Sequence, residues 1–415
     1  MAAFSNSNTR VFYATQAVAI GAKGATGIID SWSAGTAPVL TNNVAICHGL
    51  QSIGVDTNFN LEQAFELGQL SLYENIEDIP DISVTMQKFL DGYTLLYHLG
   101  ASCDGDGNEL AEAKTTLSGR ADTRADIRMV INASSEEAVT SGDSAVTELY
   151  CSGMYISSVS YTIPTDGTAT EDVTFVGNNK KWITDNASSE LLLVDTGVVY
   201  SGGVDSVFAN IFGNDAPAYS GAGSSEGGNV LRRDDVVTGS GASVQVNGYY
   251  TLIPDIVEGV TAISTSAFKS RVPTNAGLLN TDTAHIQSFT CSVDLGREQI
   301  NQLGSRTPYN RYVSFPTEVT STLEVIAIAG DNVTAVETAR TNLSNHEICV
   351  VLKDSTVIHL GKKNKVSSVT YGGGDAGGGN ATVTYNFSNF NDLVVLHSGD
   401  PIRSTVAYWN DKFPV

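Results

Sequence analysis

Residues 51–90 read QSIGVDTNFNLEQAFELGQLSLYENIEDIPDISVTMQKFL, and the stretch returns at residues 287–325 as QSFTCSVDLGREQINQLGSRTPYNRYVSFPTEVTSTLEV. A shift of 236 positions lays residues 51–80 on 287–316 without a gap. Gln51, Ser52, Glu62, Gln63, Leu67, Gly68, Tyr73 and Pro80 then meet Gln287, Ser288, Glu298, Gln299, Leu303, Gly304, Tyr309 and Pro316. The side-chain pattern repeats as well. Ile53, Val55, Thr57 and Phe59 alternate with Ser52, Gly54, Asp56 and Asn58, the period of a strand with one buried and one wet face. Phe289, Cys291, Val293 and Leu295 alternate with Ser288, Thr290, Ser292 and Asp294 in the same phase. After the proline, Ile82, Val84 and Met86 match Val319, Ser321 and Leu323 only if Thr317 is an insertion. A one-residue slip turns a strand over, so the extra residue belongs in the turn. Each copy reads as strand, long polar loop, strand.

A second pair of matches closes each half. SSVSY at 157–161 recurs as SSVTY at 367–371, and Val173-Thr174-Phe175 recurs as Val383-Thr384-Tyr385, both at an offset of 210. Each segment reads as a hairpin, with PTDGTATED or GGGDAGGGN as its loop. Residues 196–245, with SGAGSSEGG at their centre, have the composition of a linker or inserted surface loop. The expectation is a mainly β protein of two similar domains, 1–195 and 246–415, joined by that Gly/Ser-rich segment.

The chain of 415 residues has room for two or three domains, and 41% hydrophobic residues fit a folded protein. Forty glycines favour tight turns and β-structure. A formal net charge of −22 argues against a nucleic-acid binder, which needs Lys and Arg on phosphate; here 23 basic residues face 45 acidic ones. A negative surface repels phosphate, so a polyanion could pass it without sticking. Cys47, Cys103, Cys151, Cys291 and Cys349 form no CxxC and suggest free thiols rather than a disulfide scaffold or a zinc site. MAAFSNSNTR lacks an apolar leader, and no long uncharged apolar run suggests a bilayer span.

Chemistry-bearing patterns are missing. GAKGATG lacks the Lys-Ser/Thr that a phosphate loop requires, and the glycine-rich hairpin loop leads into no helix. Asp104, Asp106 and Asn108 open like a calcium loop, but Glu109 and Thr115 stand where Gly and Glu are needed. His48, His98, His285, His346, His359 and His397 show no metal-ligand spacing. No catalytic, cofactor or metal residue is expected. RADTRADIR at 120–128 interleaves both charge signs and reads as a solvated face. The first loop, 60–81, carries Glu62, Glu66, Glu74, Glu77, Asp78 and Asp81 without a basic residue, whereas 296–318 carries Arg297, Arg306 and Arg311 against Glu298 and Glu318. Such asymmetry would favour alternating neighbours over like-with-like contacts.

In the wording around FELGQLSLYENIEDIPD, in SVDLGREQINQLGSRTPYNRYVSFPTEVTSTLEVIA and in the terminal hairpins, including VTFVGNNKKW, the chain resembles the tail tube proteins of tailed bacteriophages. The resemblance covers roughly half of the chain. It implies a β-sandwich or barrel domain in duplicate, each copy with a flanking helix and an extended hairpin, forming rings around a channel. Barrel strands would be 51–59, 82–89, 287–295 and 319–326. Ser52, Asp56, Asn58, Ser83, Thr85, Ser288, Thr290, Ser292, Asp294, Thr320 and Thr322 would face the channel. Glu62, Glu66, Glu74, Glu77, Asp78, Arg297, Arg306 and Arg311 would serve ring stacking. Three chains would then make a pseudo-sixfold ring, and six would be needed if one copy lines the tube. The implied partners are further copies of the chain, the tail terminator, baseplate, sheath and tape measure proteins, and viral DNA in transit. The implied place is the virion tail, assembled in the host bacterial cytoplasm. The rival readings are a baseplate hub or tube-cap ring of the same fold and, from another class, a glycan-binding adhesin or tailspike.

Overall fold

The computed structural model describes residues 13–22, 44–47, 49–68, 70–91, 95–100, 123–132, 145–184, 286–303, 310–327, 348–352, 356–373 and 379–396, with Val11, Leu117, Pro308 and Asn345. The glycine run after Ala22, the Asp104–Asn108 segment, the 196–245 linker and Arg306 lie outside them. The described residues are mainly β, in antiparallel sheets. The first half holds β1 (Gln16–Ala22), β2 (Val44–Ile46), β3 (Leu50–Asn58), β4 (Leu61–Phe65), β5 (Leu72–Glu77), β6 (Asp81–Phe89), helix α1 (Leu96–Leu99), β7 (Ala125–Asn132), β8 (Ala145–Pro164), β9 (Thr170–Gly177) and β10 (Asn179–Thr184). The second holds β11 (Ile286–Asp294), β12 (Arg297–Ile300), β13 (Asn310–Val313), β14 (Glu318–Ile326), β15 (Cys349–Val351), β16 (Val357–His359), β17 (Lys365–Gly372), β18 (Thr382–Phe390) and β19 (Val394–Leu396). Among the described residues the helical content is α1, a single buried turn, and a 3-10 turn at Tyr13–Thr15.

Eight strands run in one antiparallel order, β3-β6-β9-β8-β11-β14-β18-β17. The first four and the last four pair in the same way. Val55 faces Val84 as Cys291 faces Ser321, which puts the one-residue slip between the two strands, where Thr317 stands. A β-bulge at Leu50/Ser52 recurs at Ile286/Ser288, and one at Ile156/Ser158 recurs at Val366/Ser368. Bulges fix register, so their recurrence at spacings of 236 and 210 is stronger than any residue identity. One expected match shifts. Val159 pairs with Val173 and Val369 pairs with Tyr385, so the counterpart of Val173 is Tyr385 rather than Val383. The loop between β17 and β18 takes up the two extra residues, and a slip of two keeps every side chain on its own face.

The period-two pattern sends Val84, Met86, Val159, Val173, Phe175, Phe289, Val293, Leu323 and Phe387 to one side, where they are buried. Phe59 departs from the expected alternation: it lies beyond β3 and is exposed. On the first half, β8 also belongs to a second layer, pairing through its N-terminal part with β7 and β10 while β1 and β2 extend that layer. On the second half, β15, β16 and β19 form a separate sheet. One apolar cluster includes Val18, Ile127 and Leu149 from the first and Ile358 and Val395 from the second. Strand β8 changes layers around Gly153, which has φ +67, a value that suits glycine. Asp126 is fully buried there and accepts from the Gly153 N–H at 2.6 Å and the Tyr150 hydroxyl at 3.1 Å. The solvated face expected for 120–128 is therefore corrected at Asp126, whose carboxylate satisfies the backbone at the crossover.

Glu171 holds the inner end of α1. Its carboxylate accepts from Leu96 N at 2.7 Å, Tyr97 N at 3.1 Å and the Tyr161 hydroxyl at 2.9 Å. Burial pushes its pKa up, against these bonds and the charge of Lys88. Leaving buried donors unpaired costs about 1–3 kcal/mol each. Glu171→Ala should therefore lower the unfolding free energy by about 3 kcal/mol or more in urea titrations. Glu171→Gln, which keeps an acceptor oxygen, should lose less.

Candidate functional site

The wet face of the eight-stranded run is polar almost throughout. Ser52, Gln87, Asp172, Ser160, Ser292, Thr320, Ser388 and Lys365 stand in register across all eight strands. A neighbouring row passes through Thr170, Thr162, Thr290, Thr322, Asn386 and Ser368. Ser292 and Thr320 hydroxyls bond at 2.9 Å, Thr322 donates to Asn386 at 2.9 Å, and Asn386 donates to Ser368 at 2.9 Å. These groups satisfy one another sideways across strands. Asp56, Asp172, Asp294 and Glu324 add negative charge to this face. Burial among its neighbours raises the Asp172 pKa against a hydrogen bond from Gln87. All eleven residues expected to face a channel lie on this side of the sheet, exposed or half-buried.

Among the described residues the run ends in two edges with no further strand paired to them, β3 and β17. Leu295 N donates to Ser157 O at 2.7 Å and Thr165 N to Gln287 O at 2.8 Å, which sets the alternation of the β8–β11 seam. Val159, Tyr161, Cys291 and Val293 therefore exchange backbone bonds across it, while Ser160 and Ser292 face each other between those bonds. Counted forward by 210 and back by 236, the corresponding backbones are Val369 and Tyr371 on β17 and Val55 and Thr57 on β3, each directed away from the sheet. Burial follows the same logic. Tyr161 is 1% exposed at the seam, and its counterpart Tyr371 is 52% exposed at the edge. Phe289, Cys291 and Val293 are buried, whereas Ile53, Val55 and Thr57 are half-buried.

The stretches expected as long polar loops are correctly two-stranded ribbons, β4–β5 and β12–β13, and they pair alike: Leu61 faces Glu77 as Arg297 faces Val313. Their environments differ. The second ribbon lies on the first half. Arg297 Nε donates to Ile156 O at 2.8 Å, its guanidinium sits 5.1 Å from the Tyr155 ring centre, and the Tyr155 hydroxyl bonds Asn310. Arg311 is buried, donating to Asp81 and, at 3.0 Å, to Asn178. Arg297 and Arg311, expected to serve ring stacking, are thus engaged within the chain. The first ribbon is exposed along nearly its whole length, including Leu61, Phe65, Leu72, Tyr73 and Ile76 beside Glu62, Glu66, Glu74, Glu77 and Asp78. The sequence showed the charge difference between the ribbons but not the partners of Arg311, since Asp81 and Asn178 are distant in sequence.

Among the described residues no group of three or more His, Cys, Asp or Glu is placed to hold a metal ion. No helix of the described residues is long and apolar enough to cross a membrane. Burial first of all raises Cys151 and Cys291 to about 12, which makes poor nucleophiles of both thiols. No protein-family model matches the chain, and no curated protein matches it. Among solved structures the chain is similar to the anti-feeding prophage cap (AFP tube terminating cap), at 12% identity over 44% of this chain and 99% of that one, with a TM-score of 0.25.

Burial raises the Asp81 pKa, but hydrogen bonds from Asn60, Arg311 and Asn178 and the Arg311 charge outweigh it and hold the group below 3.8. The stability that its carboxylate supplies is present above that value and is lost as pH falls through the lowered one. Asp81→Asn should loosen β12–β13 at neutral pH, read as faster hydrogen exchange at residues 310–313. The difference from the unaltered protein should shrink as pH falls below 3.8.

Proposed function

We propose that this chain is a structural subunit of a phage-type tail tube, built from one β unit in duplicate and acting by self-assembly. The observation that carries the reading is the β8–β11 seam. One unit already binds the next through backbone pairing, and the two edges left open are the same two edges again. A contact of this kind is head-to-tail, so it continues until the rotation per unit closes a ring. Closure removes the unpaired edges that would otherwise invite indiscriminate association. Three chains would bring 24 strands (three times eight) to one barrel, with the polar rows inward and the apolar core outward. Barrels of 16–18 strands already leave an aqueous channel. At about 4.8 Å between strands and ~40° of tilt, 24 strands give a backbone diameter of roughly 45–50 Å. A lumen of Ser, Thr, Asn and acidic side chains offers phosphate no cationic partner along most of its breadth, which suits passage of DNA without adhesion. Stacked rings, DNA transit, a place in the virion tail and the other tail proteins as partners are parts of the same proposal.

Negative-stain electron microscopy of the purified chain tests it. Rings of threefold symmetry that stack into hollow tubes are the expected result. Single rings that never stack would replace the tube reading with a terminating cap or hub, and a monomer at every concentration would overturn both. Edge-blocking gives a second test. Proline at Tyr371 removes an N–H directed at the open edge and no bond within the sheet. Tyr371→Pro should abolish rings while leaving a folded species with the mass of the 43.7 kDa chain in sedimentation.

A further inference from the structure

Resting on that reading, we infer that neighbouring chains are locked by an ionic contact between the β4–β5 ribbon of one copy and the lysines beside β17 of the next, in a fixed β17–β3 register. The template is the seam inside the chain. There, Tyr155 at the start of the seam meets Asn310 on the ribbon of the following unit. The matching positions are Lys365, 210 residues after Tyr155, and Glu74, 236 residues before Asn310. A neutral hydroxyl–amide contact within the chain thus becomes a lysine–glutamate pair between chains. Lys362 and Lys363 are exposed immediately before Lys365, and Glu62, Glu66, Glu77 and Asp78 are exposed around Glu74. In a chain with 45 acidic and 23 basic residues, three lysines within four positions beside the open edge complement a ribbon that has no basic residue. Two other contacts of the inner seam change: Leu61 stands at the place of Arg297 and brings no donor, and neutral Asn75 stands at the place of Arg311 opposite Glu318, the counterpart of Asp81.

The register follows from the same template. Ser160 faces Ser292 between the backbone bonds of the inner seam, so Thr370 of one chain faces Asp56 of the next. The carboxylates on the ribbon and the lysines beside β17 repel their own kind, so ribbon-to-ribbon and β17-to-β17 pairings are disfavoured. Exposed charges of this sort are screened by salt.

Two experiments on the full chain read this out. Opposed residues in an antiparallel pair stand about 4.5–5.5 Å apart at Cα, within the span of a disulfide. Thr370→Cys with Asp56→Cys in one chain should therefore give covalent trimers on mild oxidation of assembled material, and the unaltered chain should give none. Lys365→Glu and Glu74→Lys should each raise the concentration for half-assembly about tenfold, as like charges replace a pair, and the double substitution should restore it to within about threefold. If rings form but the disulfide appears only in a displaced pair such as Thr370→Cys with Asn58→Cys, the register is wrong while the ring reading stands. If the double substitution brings no rescue, the ionic lock is wrong while the ring reading stands. If the unaltered chain makes no rings, both fall.

Discussion

The backbone pairing of β8 with β11 is the interaction on which the molecule depends. It turns two four-stranded units into one continuous ribbon, and it gives each backbone N–H and C=O along that seam a partner. Such groups are costly to leave unmade, which makes the seam strong and leaves the ends of the ribbon unsatisfied. On the core face, Phe289, Cys291, Val293 and Tyr161 are buried at the seam, whereas their counterparts Ile53, Val55 and Thr57 are half-buried and Tyr371 is exposed. The contrast between Tyr161 and Tyr371, or between the packed β12–β13 ribbon and the exposed β4–β5 ribbon, follows the difference between a strand paired on both sides and one paired on a single side among the described residues.

The two faces of the ribbon divide the remaining work. Apolar side chains on one side hold the outer layers, with β8 passing between sheets at Gly153 and Asp126 closing the backbone there. Hydroxyl and amide side chains on the other side bond to their cross-strand neighbours, so the surface is polar yet laterally satisfied. The face carries hydroxyl, amide and carboxylate groups, with Lys365 at its β17 end.

Much of this was legible in the sequence because strands write a period of two. Ile53-Val55-Thr57 and Phe289-Cys291-Val293 announce a buried face, and the slip at Thr317 was visible because a single residue inverts that face. The slip that makes Phe387 the counterpart of Phe175 was not visible, since two residues preserve the phase and Val-Thr-Tyr offers a false match two residues early. Charge alternation misled at Asp126, where a carboxylate serves a backbone crossover rather than solvent. The ribbons looked like loops because both of their faces are polar in part, and the Arg311 contacts join segments more than a hundred residues apart. Local pattern records which face is wet; it does not record which distant strand lies alongside.

Hydrogen exchange on the isolated chain and on assembled material would reach the central claim most directly. Amides of Val55, Thr57, Val369 and Tyr371 should exchange freely in the single chain and become protected on assembly. Those of Val159 and Val293 at the inner seam should be protected in both. Assembly that leaves the β3 and β17 amides exchanging as fast as before would contradict edge-to-edge pairing as the way these chains join.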